Sequence, residues 1–389
     1  MIVDDDEAQG SLCRDLGLQA GFEPMVIGDS ARAIERIGVF KPDVLIIDLM
    51  MPGVDGVQLL RSLGDQKCRA GILIVSGADT RTLAAAKRLG ESFGLDIRGA
   101  LSKPDALPAI RTALMLARDQ AERGITAETL AEGIRNNQLV LHYQPQMSIH
   151  RRKPTAVECV EALVRWQHPK LGLLPPGTFL PMAESEGLIG ELTEWVIGAA
   201  VRQSAEWARQ AVDVAISINL PACSVADLGF PEHMDEIFAL HGVGPERFVL
   251  EVTEHQALSN TDGSLDVLTR LRLRGFTLSI DDFGCGYSTL STLHRMPFNE
   301  LKIDRSLVAV VNRDHEAAIV TRTILGLARR MGLTVCAEGV EDPATFDVMA
   351  KWGCQKIQGF YIGRPAPSTT LDFDGYKQWA SGRLQESAD

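Results

Sequence analysis

The stretch LVLHYQPQMSIHRRKPTAVECVEALVRW (139–166) holds two apolar runs, LVLHYQPQ and AVECVEAL, with MSIHRRKP close to the join. From Gln144 to Glu161 is 17 residues. A parallel crossover needs about a dozen linking residues or more, usually folded as a helix. The two runs are therefore expected to pair as an antiparallel hairpin.

Six further runs follow: VAISINLP, FVLEVTE, FTLSIDDFG, ELKIDRS, TVCAEGVED and KIQGFYIGRP. Helical segments such as Glu191–Gln210, Ser264–Arg274 and Asp314–Met331 separate them. Eight strands with helices over residues 126–380 predict a (β/α)8 TIM-like barrel with one antiparallel strand, its site at the carboxyl ends of the strands. At those ends stand Glu161, Asn219, Glu251, Asp281, Asp282, Lys302, Asp304, Glu338 and Gln358. Asp281 and Asp282 reach one site together only if their strand ends there, because successive side chains point to opposite faces. Phe283-Gly284, read as the start of a loop, provides that end. Glu161, Asn219, Glu251 and Asp281 offer oxygen donors suited to Mg²⁺ or Mn²⁺ rather than zinc. Asp282, Asp304 and Glu338 leave carboxylates for a second ion. Paired ions stabilise both attacking and leaving oxygens in phosphodiester hydrolysis. Without ions so many carboxylates would repel one another.

The first 118 residues read differently. MIV, EPMVI, DVLIID, GILIVSG and IRGAL alternate with helical stretches such as Ser30–Val39 and Thr80–Leu89. This predicts a doubly wound, five-stranded parallel α/β sheet of flavodoxin-like type. Its strand ends carry Asp4, Asp5, Asp48 and Ser76, and Lys103 follows the fifth strand. The acidic trio can hold one Mg²⁺. The Ser76 hydroxyl and Lys103 ammonium can then contact a phosphoryl group on Asp48. A blander reading has Asp4–Asp6 capping the next helix and Lys103 solvated. The first strand, Met1–Val3, is shorter than usual, as in a chain whose start is truncated or misassigned. DALPAIRTALMLARDQAER (105–123) reads as a helix broken by Gly124, with Thr126–Thr129 able to cap a new one. A linker is placed at 119–125.

Composition bounds the rest. The 389 residues carry 39 basic and 51 acidic side chains, a formal net charge of −12, which argues against non-specific nucleic acid binding and DNA as a partner. The seven scattered cysteines lack a C-x-x-C pair and read as reduced thiols in a cytoplasmic protein. MIVDDDEAQG has neither a basic nor an apolar leader region, and no run is long enough to span a membrane.

Residues 1–118 resemble a response-regulator receiver domain. DVLIIDLMMPGVDG (43–56) is similar to its phosphoacceptor segment, with Asp48 as acceptor; Asp4 and Asp5 match the acidic metal pair, Ser76 the switch hydroxyl, and Lys103 in SKP the lysine. The resemblance implies a cognate histidine kinase or other phosphodonor. Ala100 stands where the family often has an aromatic, which weakens the usual route of signal output.

EALVRW (161–166), with INLP, LEVTE, DDFGCGYSTL, LKIDRS, AEGVE and QGFYIGRP in order, resembles the EAL family of cyclic-di-GMP phosphodiesterases. The resemblance implies that Glu161, Asn219, Glu251 and Asp281 ligate one metal, with Asp281 shared. Asp282 and Glu338 approach the second, and Glu338 has also been viewed as general base. Lys302 holds the attacking water, with Asp304 beside it, and Arg165 and Gln358 contact substrate. Glu254 anchors the loop DDFGCGYSTL, which couples the metal site to a dimer interface, and a helix-terminal role for Glu254 stays open. A homodimer or higher assembly through the EAL domain is implied. Cys285 and Cys159 replace the usual small residues without removing a ligand. The expected function is a phosphorylation-controlled hydrolase that converts cyclic di-GMP to linear pGpG. The rivals are a catalytically idle cyclic-di-GMP receptor signalling through a partner, and a barrel enzyme for another phosphodiester.

Overall fold

The computed structural model describes the chain apart from residues 52–54, 67, 69, 104–105, 123, 254–255, 257–260, 285–292, 294 and 387–389. The chain forms two compact units, Met1–Leu130 and Ala131–Asp389.

In the first unit, strands β1 (Ile2–Val3), β2 (Val26–Ile27), β3 (Val44–Asp48), β4 (Gly71–Ser76) and β5 (Ile97–Ser102) form one sheet in the order β2-β1-β3-β4-β5. Each pairing is parallel. Strand alternation divides the core between two faces. Val3, Leu45, Ile47, Ile72 and Ile74 pack with Ala33, Ile37, Leu59, Leu63 and Leu83 of the helices on one side. Ile2, Val44, Ile46, Leu73 and Val75 pack with Cys13, Ile110 and Leu114 on the other. The order reverses between β1 and β3, the place where such sheets bind ligands. The sequence expectation of an Asp cap is met by Asp6, which accepts from the amides of Ala8 and Gln9; Asp4 and Asp5 remain at the strand end. The helix Ala106–Glu122 is followed by Gly124 at φ 71° and a second helix, Ala127–Arg135. Thr126 and Thr129 cap that helix reciprocally, each backbone amide donating to the other's hydroxyl.

The second unit is a closed barrel of β6 (Leu139–His150), β7 (Lys153–His168), β9 (Ala215–Asn219), β10 (Phe248–Thr253), β11 (Thr277–Phe283), β12 (Glu300–Ile303), β13 (Thr334–Ala337) and β14 (Lys356–Gln358). The short strands β8 (Gly172–Leu174) and β15 (Ala366–Pro367) extend β7 and β6. Only β6 runs against the rest of the barrel, antiparallel to both β7 and β14. The hairpin expected from the short 144–161 interval is therefore present, with Gln144 opposite Glu161. Its two-residue turn is Arg151-Arg152, both at positive φ (49° and 68°). Turns of this length favour such backbone but prefer Asn-Gly to carry it.

One expectation is corrected. β11 does not end before Phe283; it continues to Phe283 and bulges, with Asp281 and Asp282 set against Lys302 alone on β12 between the Ile280–Leu301 and Phe283–Ile303 pairs. Asp282 takes up the extra residue at φ 55°. The bulge, rather than a strand end, re-aims one side chain so that consecutive aspartates share a site. At the end of β14 Gly359 is required: a Cβ there would lie 2.0 Å from the Val340 carbonyl oxygen.

The hairpin turn yields a test. The double substitution Arg151→Asn, Arg152→Gly should stabilise the barrel by about 1 kcal/mol by relieving two left-handed non-glycine residues. The readout is a higher thermal midpoint. A lowered midpoint would show that the arginine side chains hold the tip.

Candidate functional site

The inward faces of barrel strands are usually filled with branched apolar residues. Here they are polar. Near the amino ends of the parallel strands Lys356 Nζ donates to Glu300 Oε2 at 2.6 Å, and Ser279 Oγ donates to Glu300 Oε1 at 3.2 Å. Further up, Asn219, Glu251, Asp281 and Lys302 stand in the carboxyl halves of four strands, whereas Glu161, expected at a strand end, lies in the middle of the long strand β7, which runs on to His168. Glu338 follows β13, and its amide donates to the Ile303 carbonyl.

Lys302 is the centre of this cluster and its side chain is 0% exposed. Its Nζ lies 2.5 Å from Glu338 Oε1, 2.8 Å from Glu251 Oε2, 3.4 Å from Asp281 Oδ1 and 3.8 Å from Glu161 Oε2. Burial alone would push the ammonium pKa down; the surrounding carboxylates overcome this and raise it. Burial pushes the Glu251 carboxyl well up, opposed by Lys302 and reinforced by Glu161 and Asp281. Burial likewise raises Glu338 to about 8. Asp282 is exposed at the mouth, and its carboxyl is hydrogen-bonded to that of Asp304. Asp304 Oδ1 also accepts from the Ser306 amide at 2.7 Å and so caps the short helix Arg305–Val308.

Both oxygens of Glu161 are held. Asn219 Nδ2 donates to Oε1 at 2.9 Å and Gln358 Nε2 to Oε2 at 2.5 Å. Gln358, expected to contact substrate, is buried and engaged by protein at both ends of its amide. Arg165 lies four residues along β7 from Glu161, on the same face, half-buried, with Nη1 donating to the Val164 carbonyl. Glu254 and Cys285–Leu290 of the expected loop lie outside the described residues.

The donor set fits divalent cations. Asp281, Asp282 and Glu338 each offer an oxygen within 4.8 Å of the others. Among the described residues Glu251 Oε1 is buried without a hydrogen-bond partner, an orphan acceptor of the kind a cation satisfies. One ammonium also faces four carboxylates, which leaves a large unbalanced negative charge. Oxygen-only donors of this kind select hard ions such as Mg²⁺ or Mn²⁺.

Sequence reasoning passed over Gln144 and Gln146. Both are buried on β6 and bonded to Gln358. Their signal was two glutamines at alternate positions of a largely apolar strand, which places both on one face.

In the first unit Asp4, Asp5 and Asp48 also bring oxygens within 4.8 Å of one another. Lys103 Nζ lies 2.8 Å from Asp48 Oδ2 and 3.0 Å from Asp4 Oδ2. Burial raises the Asp4 carboxyl despite the Lys103 hydrogen bond. The Met50 amide donates to Asp48 Oδ1 at 2.9 Å, and Ser76 is buried at the end of the adjoining strand β4.

Comparisons with known proteins agree with this geometry. The EAL domain model matches residues 127–365 and the response regulator receiver domain model matches residues 1–115. Over 243 residues, 62% of the chain, it is 40% identical to the bifunctional diguanylate cyclase/cyclic di-GMP phosphodiesterase MucR of Pseudomonas aeruginosa. Over 249 residues, 63% of the chain, it is 37% identical to the cyclic di-GMP phosphodiesterase NbdA of the same organism. These matches span 35% and 31% of the relatives' own lengths, about a third. The solved structure of the PaMucR phosphodiesterase in complex with c-di-GMP superposes with a TM-score of 0.60 at 40% identity, covering 63% of this chain and 98% of that one. Among the described residues no helix is long and apolar enough to cross a membrane. The chain belongs to the EAL domain family and carries a response regulator receiver domain ahead of its EAL barrel.

Proposed function

We propose that the chain is a cyclic-di-GMP phosphodiesterase that releases linear 5′-pGpG and is controlled by phosphorylation of Asp48. The observation that carries this reading is the convergence of Glu161, Glu251, Asp281 and Glu338 on the buried Lys302 ammonium at 2.5–3.8 Å. The printed names of MucR and NbdA support the substrate.

Glu161, Asn219, Glu251 and Asp281 would hold one Mg²⁺ or Mn²⁺, and Asp281, Asp282 and Glu338 a second. Such a pair, when bound, acidifies water and neutralises charge at the attacking and leaving oxygens of a phosphodiester. Lys302 keeps a fixed positive charge beside the attacking water. Glu338, whose Oε1 lies 2.5 Å from Lys302 Nζ, would take up that water's proton at a carboxylate oxygen. Arg165 presents a planar fork to a phosphate oxygen. In the receiver Asp48 accepts a phosphoryl group from a kinase or small phosphodonor, with Mg²⁺ held by Asp4, Asp5 and Asp48. Lys103 and Ser76 then meet the new phosphoryl oxygens. Assembly as a dimer through the EAL domain is part of this proposal, and rests on the family resemblance alone.

Product analysis tests the reading. Full-length chain incubated with cyclic di-GMP and Mg²⁺ should yield pGpG by chromatography. Chelator should abolish it, and Glu161→Ala should lower the rate by more than about 100-fold. Tight nucleotide binding without product, with Mn²⁺ also supplied and the receiver phosphorylated, would make the chain a receptor instead. Glu338→Gln should cut hydrolysis by about 10²–10⁴-fold while nucleotide affinity changes little; equal losses in both would reduce Glu338 to a binding role. Asp48→Asn should take up no label from acetyl phosphate, and persistent labelling would assign the phosphoryl group elsewhere.

A further inference from the structure

We infer that Gln146 is a positioning residue for Glu161, acting through the Gln358 amide. The inference rests on the metal-dependent reading of the site given above.

The argument turns on which way three buried amides face. The Glu161 carboxylate only accepts hydrogen bonds, so the Gln358 atom 2.5 Å from Glu161 Oε2 must be its nitrogen. The Gly363 carbonyl also only accepts, so the Gln144 atom 3.1 Å away is nitrogen, and Gln144 turns its oxygen toward Gln358 Nε2 at 3.1 Å. Both Gln358 protons are then committed, and its Oε1 needs a donor. Gln146 supplies it, with Nε2 3.0 Å from Gln358 Oε1. Gln146 and Gln358 are direct partners across the antiparallel β6–β14 ladder, so the contact is built by the inverted strand.

Gln146 is 1% exposed, and its own Oε1 has no hydrogen-bond partner among the described residues. A space-filling role would be better served by an apolar side chain of the same length, with no buried oxygen left unmet. What the glutamine contributes is its NH₂ group. That group fixes Gln358 with its nitrogen toward Glu161, and Glu161 is then oriented as a ligand. Turned the other way, the Gln358 oxygen would face a carboxylate oxygen.

The test compares Gln146→Met with Gln146→Glu. The first removes the donor at constant length, and the second replaces it with an acceptor that favours the wrong Gln358 face. Mn²⁺ binding is measured by calorimetry on full-length chain carrying Asp5→Asn and Asp48→Asn, so that the receiver trio does not contribute. The expected result is Mn²⁺ affinity weakened about tenfold in Gln146→Met and more in Gln146→Glu, in variants that stay folded without metal although the unmet buried groups lower their thermal midpoints. The Mn²⁺ activation constant for hydrolysis should rise while KM for cyclic di-GMP stays near parent. Should Gln146→Glu fail to fold, Gln146→Met alone decides the matter. Parent-like Mn²⁺ affinity in the folded variants overturns this inference only. Absence of Glu161-dependent Mn²⁺ binding in the parent overturns it together with the metal reading.

Discussion

The EAL barrel is organised around a wholly buried lysine ammonium. Lys302 is wholly buried, and within 3.8 Å it meets Glu161, Glu251, Asp281 and Glu338. Such an ammonium stays charged only because the carboxylates are there, and they stay tolerable only because it is. Removing one partner of a buried pair typically costs about 3–5 kcal/mol, since the other is left uncompensated. Even so, one positive charge does not balance the group, and burial raises Glu251 and Glu338. The site is electrostatically incomplete, and bound divalent cations, as proposed above, would complete it.

Inverting β6 is what makes the surroundings of this site possible. Gln144 faces Glu161 and Gln146 faces Gln358 in antiparallel register. In a regular barrel the first strand would be parallel to its neighbours, with evenly spaced and slanted hydrogen bonds. The inverted strand instead closes the barrel with a tight hairpin and carries two amides into its interior. Below them the Glu300–Lys356 pair and Ser279 continue the polar column. The apolar packing that stabilises the unit has moved outward, to the strand–helix interface. There Phe238 meets Phe248 and Phe276 edge-on.

Much of this was legible in the sequence because the chemistry sits at strand ends. A polar residue near the end of an apolar run is a strong signal, and Asn219, Glu251, Asp281 and Lys302 gave it; Glu161, read the same way, lies in the middle of β7. The hairpin was legible because chain length alone forbade a crossover between Gln144 and Glu161. The bulge at Asp281-Asp282 was not. It depends on pairing with β12, and nothing in the local sequence distinguishes a bulge from a strand end. Gln144 and Gln146 were hidden for a related reason. A polar residue inside a strand reads as surface until the neighbours that enclose it are known. Asp6 shows the opposite case: three consecutive aspartates invited either capping or metal binding, and the fold divides the roles among them.

The two units repeat one device at different depths. In each, a lysine from a later strand or strand end reaches back to carboxylates gathered at the carboxyl ends of parallel strands. Lys103 contacts Asp4 and Asp48 with its side chain 22% exposed, whereas Lys302 is fully enclosed. That difference matters more than the similarity. A partly solvated ammonium exchanges a carboxylate for another anion at little cost, because water compensates the change along the way. A buried one does not, since each lost contact is paid in a low-dielectric interior. Lys103 is therefore suited to follow a charge that arrives on Asp48, and Lys302 to hold still while a substrate passes. Under the proposed function the same residue type would serve as a responsive contact in one sheet and as a fixed charge in the other, separated by burial.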